Sequence, residues 1–256
     1  MPREGNTGTS VARLQGKKAL VYGGGTGIGF ACAEAMIREG AAVFLSGRRE
    51  GVLAEAHARL ERFGKAGYAA GDATLAEDVQ RVTAIAADFM GGLDTIVVSA
   101  GAAGRTPIFD TPIEEFKRIT DHSLLPPFLA MRFGAAHLLK AGAGSVIVIS
   151  SMFGLTGQKE RVGYCSGKWG VIGLVKAAAM DFAEKNVRVN AICPGFIETP
   201  ILSSIPDKVI KLMEDKVPMG RLGKPEEIAN TYAWLASDEA SYINGAVIEV
   251  SGGCTI

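Results

Sequence analysis

The sequence of 256 residues lacks the features that mark membrane, nucleic-acid-binding and disulfide-stabilised proteins. No apolar run reaches the roughly 18 residues that a membrane span needs. Basic and acidic residues number 27 each, which leaves no net charge to attract nucleic acid. The four cysteines form no CxxC pair and do not cluster with the three histidines, so we expect free thiols and no metal site. Together these absences indicate a cytoplasmic protein with neither a membrane nor a nucleic acid as partner.

The N-terminal end also lacks the apolar core of a signal peptide. Residues 1–16 are polar and rich in glycine, which indicates a flexible start. The rest of the chain shows no break in composition, and its length suits one large domain. We therefore expect a leader over residues 1–13 and a single domain over residues 14–256.

A regular alternation of strand and helix patterns is present instead. Short apolar runs predict seven strands, at residues 17–22, 41–45, 67–70, 95–98, 145–149, 187–192 and 246–250. Helical patterns cover residues 28–38, 52–63, 75–89, 113–139, 162–183 and 225–236, and Pro126 and Pro127 are expected to kink or restart the fourth of these helices. The alternation predicts a doubly wound, seven-stranded parallel α/β sheet with helices on both faces. Helix 162–183 is apolar almost all round, which suggests contact with another subunit.

The first predicted strand ends in a glycine-rich turn that leads directly into a helix. Gly23, Gly27 and Gly29 fit G-x-x-x-G-x-G, whereas no set of glycines fits G-x-G-x-x-G. In this setting the backbone can approach phosphates closely, and the helix N-terminus offers free N–H groups. The candidate residues for a nucleotide diphosphate are Gly23, Gly25, Thr26, Gly27, Ile28 and Gly29. The alternative is an ordinary flexible turn.

Two arginines follow the second predicted strand. In dinucleotide folds an acidic residue near this position binds the adenosine ribose hydroxyls. Here Gly47 is followed by Arg48 and Arg49, and no carboxylate is present. A guanidinium group can bind a 2′-phosphate bidentately, so the pair favours NADP(H) over NAD(H). The alternative is two solvated arginines that open the next helix.

Other small or polar residues follow the later strands, where ligands of such sheets bind. They are Asp72, Ala73, Ser99, Ala100, Gly101, Ser151, Pro194 and Gly195. Tyr164 and Lys168 lie four residues apart, on one face of the predicted helix 162–183. A nearby ammonium would lower the pKa of the tyrosine and make it a usable proton donor or acceptor. The spacing alone is weak evidence, and its weight comes from the other residues at the strand ends.

In this order and spacing, the residues from about Leu14 to Gly253 resemble the classical, single-domain type of the short-chain dehydrogenase/reductase family. Ser151 precedes Tyr164 by thirteen residues, as in that family. The resemblance continues through Asn190-x-Ile192-x-Pro194-Gly195, Thr199-Pro200, Gly220-Arg221-Leu222-Gly223 and Pro225-Glu226-Glu227. It implies a Rossmann-type fold, a nicotinamide cofactor and a homotetramer or homodimer.

The resemblance also implies roles for single residues. Tyr164 would be the general acid in carbonyl reduction or the base in alcohol oxidation. Lys168 would lower the pKa of Tyr164 and bind the nicotinamide ribose, and Ser151 would donate a hydrogen bond to the substrate oxygen. Asp72 and Ala73 would bind the adenine, and Ile197 and Thr199 the carboxamide and pyrophosphate.

Three positions depart from the family pattern. Tyr22 stands where the family usually has Thr, and Val98-Ser99 stands where it usually has Asn-Asn. Ser123 occupies the place of an Asn that helps to hold a water in a proton relay behind the lysine. The neighbouring His122 is expected to face another side of the helix and not to substitute for it.

The resemblance predicts an NADP(H)-dependent oxidoreductase that interconverts a ketone or aldehyde and an apolar secondary alcohol. A lid over about residues 198–223 and several apolar side chains would frame the pocket: Phe153, Leu155, Ile201, Leu202, Ile205, Leu212 and Met213. These side chains could equally pack the lid on the core. One alternative function is a 3-oxoacyl-thioester reductase of the same family. Another is a non-catalytic, cofactor-binding regulatory protein, which the altered Val98-Ser99 and Ser123 motivate.

Overall fold

A sheet of seven parallel strands forms the centre of the structure, a computed structural model that describes residues 12–255. The strands are β1 (Lys18–Tyr22), β2 (Ala42–Gly47), β3 (Ala66–Ala70), β4 (Thr95–Val98), β5 (Gly144–Ile149), β6 (Val187–Pro194) and β7 (Val247–Val250). Their order across the sheet is β3-β2-β1-β4-β5-β6-β7. The predicted seven-stranded parallel sheet is therefore confirmed.

Seven helices accompany the sheet in the described residues. They are α1 (Gly27–Arg38), α2 (Glu50–Leu60), α3 (Ala76–Met90), α4 (Ile113–Ala141), α5 (Val162–Ala183), α6 (Asp207–Glu214) and α7 (Pro225–Ala236). Residues of α1, α2 and α7 form one hydrophobic core, and residues of α3, α4 and α5 form a second. The strands contribute alternate side chains to the two cores, because successive side chains of a strand point to opposite faces. None of these helices is long and apolar enough to cross a membrane.

The sheet changes direction between β1 and β4. From β1 the chain moves outward through β2 and β3, and then returns to add β4 on the other side of β1. Tyr22 at the end of β1 lies opposite Ser46 of β2 and Val98 of β4. A crevice opens at such a switch point, outside the carboxyl ends of the strands.

Of the expected kink or restart at Pro126 and Pro127, the restart is wrong, because helix α4 runs through both prolines as one element. Pro126 and its neighbours Pro127, Leu129 and Ala130 are buried, and this packing maintains the helix. A proline has no N–H to donate, so the carbonyls of His122 and Ser123 lose their helical donors four residues ahead.

The segment between β6 and α7 contains helix α6, which the sequence pattern did not predict, and a 3₁₀ turn at Pro200–Ser204. Its two ends meet, because Ile197 and Gly223 form an isolated parallel bridge. The Glu198 N–H donates to the Gly223 carbonyl at 2.8 Å, and the Gly223 N–H donates to the Phe196 carbonyl at 2.9 Å. No residue of α6 is buried.

The predicted leader falls mostly outside the described residues. Within them, the chain is already attached to the domain at Arg13, whose Nη2 lies 2.8 Å from the Glu39 carboxylate. Leu14 is buried in the core.

Candidate active site

A cleft of about 550 Å³ opens at the carboxyl ends of the strands. Every predicted cofactor residue lines it, as do the three main catalytic candidates: Gly23, Gly25, Thr26, Gly27, Ile28, Gly29, Arg48, Arg49, Asp72, Ala73, Ser99, Ala100, Gly101, Ser151, Tyr164, Lys168, Pro194, Gly195, Ile197 and Thr199. The fold therefore brings together residues spread over 177 positions of sequence, from 23 to 199.

The glycine turn places free N–H groups at one side of the cleft. Helix α1 begins at Gly27, its first turn contains no acidic residue, and the Thr26 side chain makes no capping bond. Close packing explains two of the glycines. A Cβ on Gly29 would lie 2.1 Å from the Gly23 carbonyl oxygen, and Gly23 has a φ of 78° and abuts Ser99. An uncapped helix N-terminus with this backbone approach suits an anion such as a diphosphate.

Thr199 closes the cleft over this turn. A Cβ on Gly27 would lie 3.6 Å from the Thr199 methyl carbon. The segment after β6 therefore lies directly above the start of α1, and Gly195 fixes its path because a Cβ there would lie 2.7 Å from the Cα of Ser251.

The other side of the cleft carries Arg48, Arg49 and Asp72. Both arginines are exposed, and neither forms an ion pair with any residue in the described range. Asp72 Oδ1 accepts hydrogen bonds from the N–H and the hydroxyl of Thr74, at 2.9 and 2.7 Å. Burial alone would raise the pKa of Asp72, but the Thr74 bonds and the charges of Arg48 and His122 hold it below its usual value. Asp72 is therefore an ionised acceptor on this side of the cleft.

His122 also lines the cleft, whereas its neighbour Ser123 does not, as expected for a side chain on another side of the helix. It lies one helical turn before Pro126, which lines the same cleft. Its Nδ1 lies 2.8 Å from the Arg118 carbonyl. Sequence reasoning missed it because the pattern of α4 does not show which of its faces meets the strand ends.

Further lining residues were not predicted: Tyr22, Ser46, Gly47, Val52, Leu53, Gly71, Thr74, Ala102, Ala103, Pro126, Ile149, Ser150 and Pro200. Most are sequence neighbours of predicted residues at the same strand ends. Their nearness in sequence is a signal that could have identified them, whereas Pro126 offered none.

Lys168 is a buried lysine that lines the cleft near Tyr164. It is 4% exposed, and its Nζ donates a hydrogen bond to the Ile149 carbonyl at 3.0 Å. Burial lowers the pKa of Lys168 to about 8. The Nζ lies 5.9 Å from the centre of the Tyr164 ring.

Tyr164 has a raised pKa in this structure, which is opposite to the direction that the spacing suggested. Burial raises the pKa of its hydroxyl, while the Ser151 hydroxyl and the charge of Arg161 act in the other direction. Ser151 Oγ accepts a hydrogen bond from the Phe153 N–H at 3.2 Å, and its hydroxyl lies beside that of Tyr164. The pair of hydroxyls can therefore donate two hydrogen bonds to one oxygen atom.

Ser123 does not line the cleft. Its side chain is buried, donates to the Ile119 carbonyl at 2.9 Å, and would lie 2.6 Å from a Cβ on Gly167. Gly167 immediately precedes Lys168, so Ser123 packs behind the lysine and leaves no room for a larger residue at position 167.

The other two departures from the family pattern form one structural unit. Tyr22 and Val98 are direct partners in the register of β1 and β4. The Tyr22 hydroxyl bonds Thr83 Oγ1 of α3 at 2.7 Å, and burial raises the pKa of Tyr22 to about 12. This tyrosine therefore ties the sheet to α3 and stays protonated.

One aromatic ring, Phe153, lies beside Tyr164. It meets Tyr164 edge-on at 6.4 Å between ring centres, and on its other contact it meets Phe196 at 6.2 Å. Phe153 and Phe196, with Met152, line a second cavity of about 240 Å³. Phe153 therefore connects Tyr164 to a cavity with aromatic walls.

Comparisons with known proteins agree with this site. A family model described as Enoyl-(Acyl carrier protein) reductase matches residues 23–255. A 3alpha-hydroxysteroid dehydrogenase of Mediterraneibacter gnavus is 35% identical over 242 residues, which cover 93% of this chain and 97% of that protein. A 3-oxoacyl-[acyl-carrier-protein] reductase of Thermotoga maritima is 33% identical over 245 residues, which cover 95% and 100%.

A solved structure resembles this chain to the same degree as these two relatives do. A short-chain type dehydrogenase/reductase from Mycobacterium marinum superposes with a TM-score of 0.91 and 33% identity, over 96% of this chain and 98% of that one. The chain belongs to the short-chain dehydrogenase/reductase family, as its motifs predicted. It is an oxidoreductase that acts on CH–OH groups, in a family that uses nicotinamide cofactors and small-molecule substrates.

Proposed function

We propose that the protein is an NADP(H)-dependent enzyme that interconverts an apolar secondary alcohol and its ketone or aldehyde, with Tyr164 as general acid and base. The observation that carries the proposal is that Ser151, Tyr164 and Lys168 line the same cleft as the glycine turn. The nicotinamide ring, when bound, supplies or takes up the hydride.

The protein supplies the proton and holds the substrate oxygen. Because the pKa of Tyr164 is raised by burial, its hydroxyl is protonated at neutral pH and can donate to a carbonyl oxygen. Ser151 donates a second hydrogen bond to the same oxygen, which stabilises the negative charge that develops during reduction. In the oxidation direction, the Lys168 cation favours the phenolate of Tyr164.

The cleft residues suit a dinucleotide. The N-terminus of α1 and the glycine turn would hold the pyrophosphate, and Asp72 and Ala73 would hold the adenine. Lys168 would bind the nicotinamide ribose, and Ile197 and Thr199 the carboxamide and pyrophosphate. The exposed Arg48 and Arg49 would hold a 2′-phosphate, because Gly47, Arg48 and Arg49 occupy the place where a carboxylate would bind the ribose hydroxyls.

The proton route behind Lys168 would use a backbone carbonyl. The Ser123 hydroxyl already donates a hydrogen bond to the Ile119 carbonyl, which makes this hydroxyl a poor relay group. The Ser123 carbonyl has no helical donor, because Pro127 has no N–H. A water held by this carbonyl would connect the lysine to solvent.

An apolar substrate fits the aromatic wall of Phe153 and Phe196. The relative named for a 3α-hydroxysteroid supports a bulky, ring-borne secondary alcohol. The second candidate substrate is a 3-oxoacyl thioester, supported by the similarity to the reductase of Thermotoga maritima. Assays with a hydroxysteroid, cyclohexanol and an acetoacetyl thioester would separate these classes. If none is turned over with either cofactor, a non-catalytic, cofactor-binding role becomes the better account.

Replacing Tyr164 by Phe tests the mechanism. Tyr164→Phe should lower kcat roughly 10²–10⁴-fold, the usual contribution of a general acid, while NADPH still binds. The measurements are steady-state kinetics and cofactor fluorescence titration. Tyr242→Phe, at a fully exposed tyrosine, is the matched control and should leave kcat unchanged. Unaltered turnover of Tyr164→Phe would disprove the assignment.

Replacing Arg48 by Ala tests the cofactor choice. Arg48→Ala should raise the KM for NADPH roughly 10-fold, as expected for loss of a charge-assisted hydrogen bond, and leave the KM for NADH unchanged. Arg59→Ala, on α2 but outside the cleft, is the control. Tighter binding of NADH than of NADPH by the wild type would contradict the choice.

Cellular location and assembly are further parts of the proposal. All four cysteines are unpaired, as in a reducing cytoplasm. Trp169 and Met180 lie on one side of α5 and are 53% and 79% exposed, and Phe128 of α4 is 50% exposed. Such apolar side chains support a homotetramer, or a homodimer, that covers α4 and α5.

A further inference from the structure

The second cavity, of about 240 Å³, is the neighbouring space of the cleft at Tyr164. Phe153 lines this cavity, and its ring meets the Tyr164 ring edge-on. Met152, which also lines the cavity, directly follows Ser151 of the cleft. A molecule whose reacting end lies at Ser151 and Tyr164 can therefore extend its other end toward the second cavity.

The part of the second cavity nearest Tyr164 is apolar. It is formed by Met152, which is 4% exposed, and by the rings of Phe153 and Phe196. The two ring centres lie 6.2 Å apart, at an angle of 73°. These side chains suit a hydrocarbon body and offer it no hydrogen bond.

The rest of the lining is polar and carries a positive charge. Among the lining residues within 12–255, Lys216 is the one basic residue and none is acidic. Its ammonium forms no ion pair with any residue of this range. Gln158 also lines the cavity, and its side-chain amide has no hydrogen-bond partner in the same range. The cavity therefore offers a cation and an amide to a ligand.

One acid lies behind the lining. The Glu249 carboxylate accepts hydrogen bonds from the hydroxyls of Ser251 and Thr255, one on each oxygen. Thr255 itself lines the cavity, so its side chain stands between Glu249 and the cavity. Glu249 is thus occupied with the fold of the C-terminal segment and does not take the place of a ligand at Lys216.

Lys216 is held in place where the lid meets the C-terminal segment. The next residue, Val217, is buried, and a Cβ on Gly252 would lie 2.8 Å from its Cγ1. The Met219 N–H donates to the Gly252 carbonyl at 3.2 Å. Helix α6, by contrast, buries no residue. The backbone of Lys216 is therefore fixed beside the cavity, although the residue itself is exposed.

We propose that the second cavity binds a carboxylate at the far end of the substrate, with Lys216 as the residue that determines this specificity. The substrate is then a ring-borne secondary alcohol, or its ketone, with an apolar body and an anionic end. The ammonium of Lys216 and the amide of Gln158 would each donate a hydrogen bond to the carboxylate. The inference rests on the proposed function, since it names the substrate class of the same active site.

The test compares keto acids with their uncharged primary amides. The acids are 4-oxocyclohexane-carboxylate, -acetate and -propanoate, which place the carboxylate progressively farther from the carbonyl. For the length that fits, the wild type should show a KM roughly 5- to 20-fold lower for the acid than for its amide, as expected for one charge-assisted hydrogen bond at an exposed site. Added NaCl should reduce this preference, because exposed charges are screened by salt.

Three lysine variants identify the partner of the carboxylate. Lys216→Met keeps most of the stem and should raise the KM for the fitting acid to that of its amide, with kcat and the KM for the amide unchanged. Lys216→Arg keeps the charge and should keep the preference. Lys208→Met is the matched control, because it removes one exposed lysine of α6 that lines neither cavity. A preference that survives in Lys216→Met would overturn the assignment.

The outcomes separate this inference from the proposed function. If the wild type reduces acids and amides with equal KM at every length, only the inference fails. If it reduces none of these ketones with either cofactor, the proposed function fails, and calorimetric titration with cyclohexanepropanoate tests the cavity by itself. Binding to the wild type but not to Lys216→Met would support the carboxylate site, whereas equal binding or none would disprove it. Thermal unfolding of each variant shows whether its fold is intact.

Discussion

Lys168 is an ammonium group held almost entirely inside the protein, next to the Ile149 carbonyl. Its pKa is about 8 in the folded protein, against 10.5 for the ordinary side chain. Between these values the unfolded chain binds a proton that the folded chain has released. The free energy of unfolding should therefore rise with pH over this range, by the linkage between proton binding and stability.

We predict that this rise disappears in Lys168→Met. Urea unfolding from about pH 7 to 10.5 should show that the stability of the wild type relative to Lys168→Met increases as pH goes up through 8. Lys176→Met, at a lysine on the exposed part of α5, is the control. Parallel stability curves for the wild type and Lys168→Met would show that Lys168 keeps its ordinary pKa.

The sequence predicted which side chains meet in the cleft but not their electrostatic state. A spacing of four residues on a helix determines that Tyr164 and Lys168 share a face. It does not reveal that the face is buried, and burial determines the sign of the shift for both pKa values. His122 shows the same limit, because its exposure to the cleft depends on how α4 packs against the sheet.

At the scale of elements, helix α4 carries a gap in its hydrogen bonding. Pro126 and Pro127 deprive two successive carbonyls of their donors inside one 29-residue helix. The second of these carbonyls belongs to Ser123, which packs against the residue before Lys168. The gap is thus located where the proposed proton relay needs an acceptor.

We predict that Pro127→Ala slows turnover more than Ser123→Ala. In Pro127→Ala the alanine N–H would donate to the Ser123 carbonyl, so that the relay loses its free acceptor and kcat falls several-fold at unchanged KM. Ser123→Ala should have less effect, because the hydroxyl that it removes already donates to the Ile119 carbonyl. Steady-state kinetics and the solvent deuterium isotope effect on kcat would measure the difference. Pro126→Ala is the control, since its new N–H would donate only to the His122 carbonyl and leave the Ser123 carbonyl free. A larger loss of kcat in Ser123→Ala than in Pro127→Ala would show that the relay uses the Ser123 side chain.

Elements with strong local signals were predicted well. The bounds of α5 and α7 match the predicted 162–183 and 225–236, because a long apolar pattern defines the first and Pro225 starts the second. Helix α6 was missed because it is short and buries no residue, so that its apolar side chains do not repeat over enough turns. The restart in α4 was expected from proline chemistry, which tertiary packing overrides.

At the scale of the whole molecule, the exposed apolar side chains of α4 and α5 determine the predicted assembly. We predict that the wild type is a tetramer or dimer in solution and that the double variant Trp169→Glu/Met180→Glu dissociates. Two charges on one side of α5 would be buried without partners in the interface. Light scattering coupled to size-exclusion chromatography measures the mass.

Leu75→Glu is the matched control, because Leu75 is 56% exposed but precedes α3, away from this face. It should keep the wild-type mass. A monomeric wild type at micromolar concentration, or a double variant of unchanged mass, would contradict the predicted interface.

The sheet and the place of the cleft were predictable because a parallel sheet brings the carboxyl ends of its strands together. Seven strands running the same way place every strand-end residue at one edge, so that Gly23, Asp72, Ser151 and Pro194 had to meet there. The substrate of this site was not predictable, because the segments expected to contact it are loops without a repeating sequence pattern.

The bridge between Ile197 and Gly223 joins the two ends of the predicted lid, residues 198–223. A loop whose ends are joined can change length cheaply, since each doubling costs only roughly 0.6 kcal/mol of closure entropy. Because no residue of α6 is buried, its replacement would leave the two cores untouched. Helix α6 is therefore the part of this segment that can be exchanged, and new substrate ranges could be engineered there without a change in the sheet.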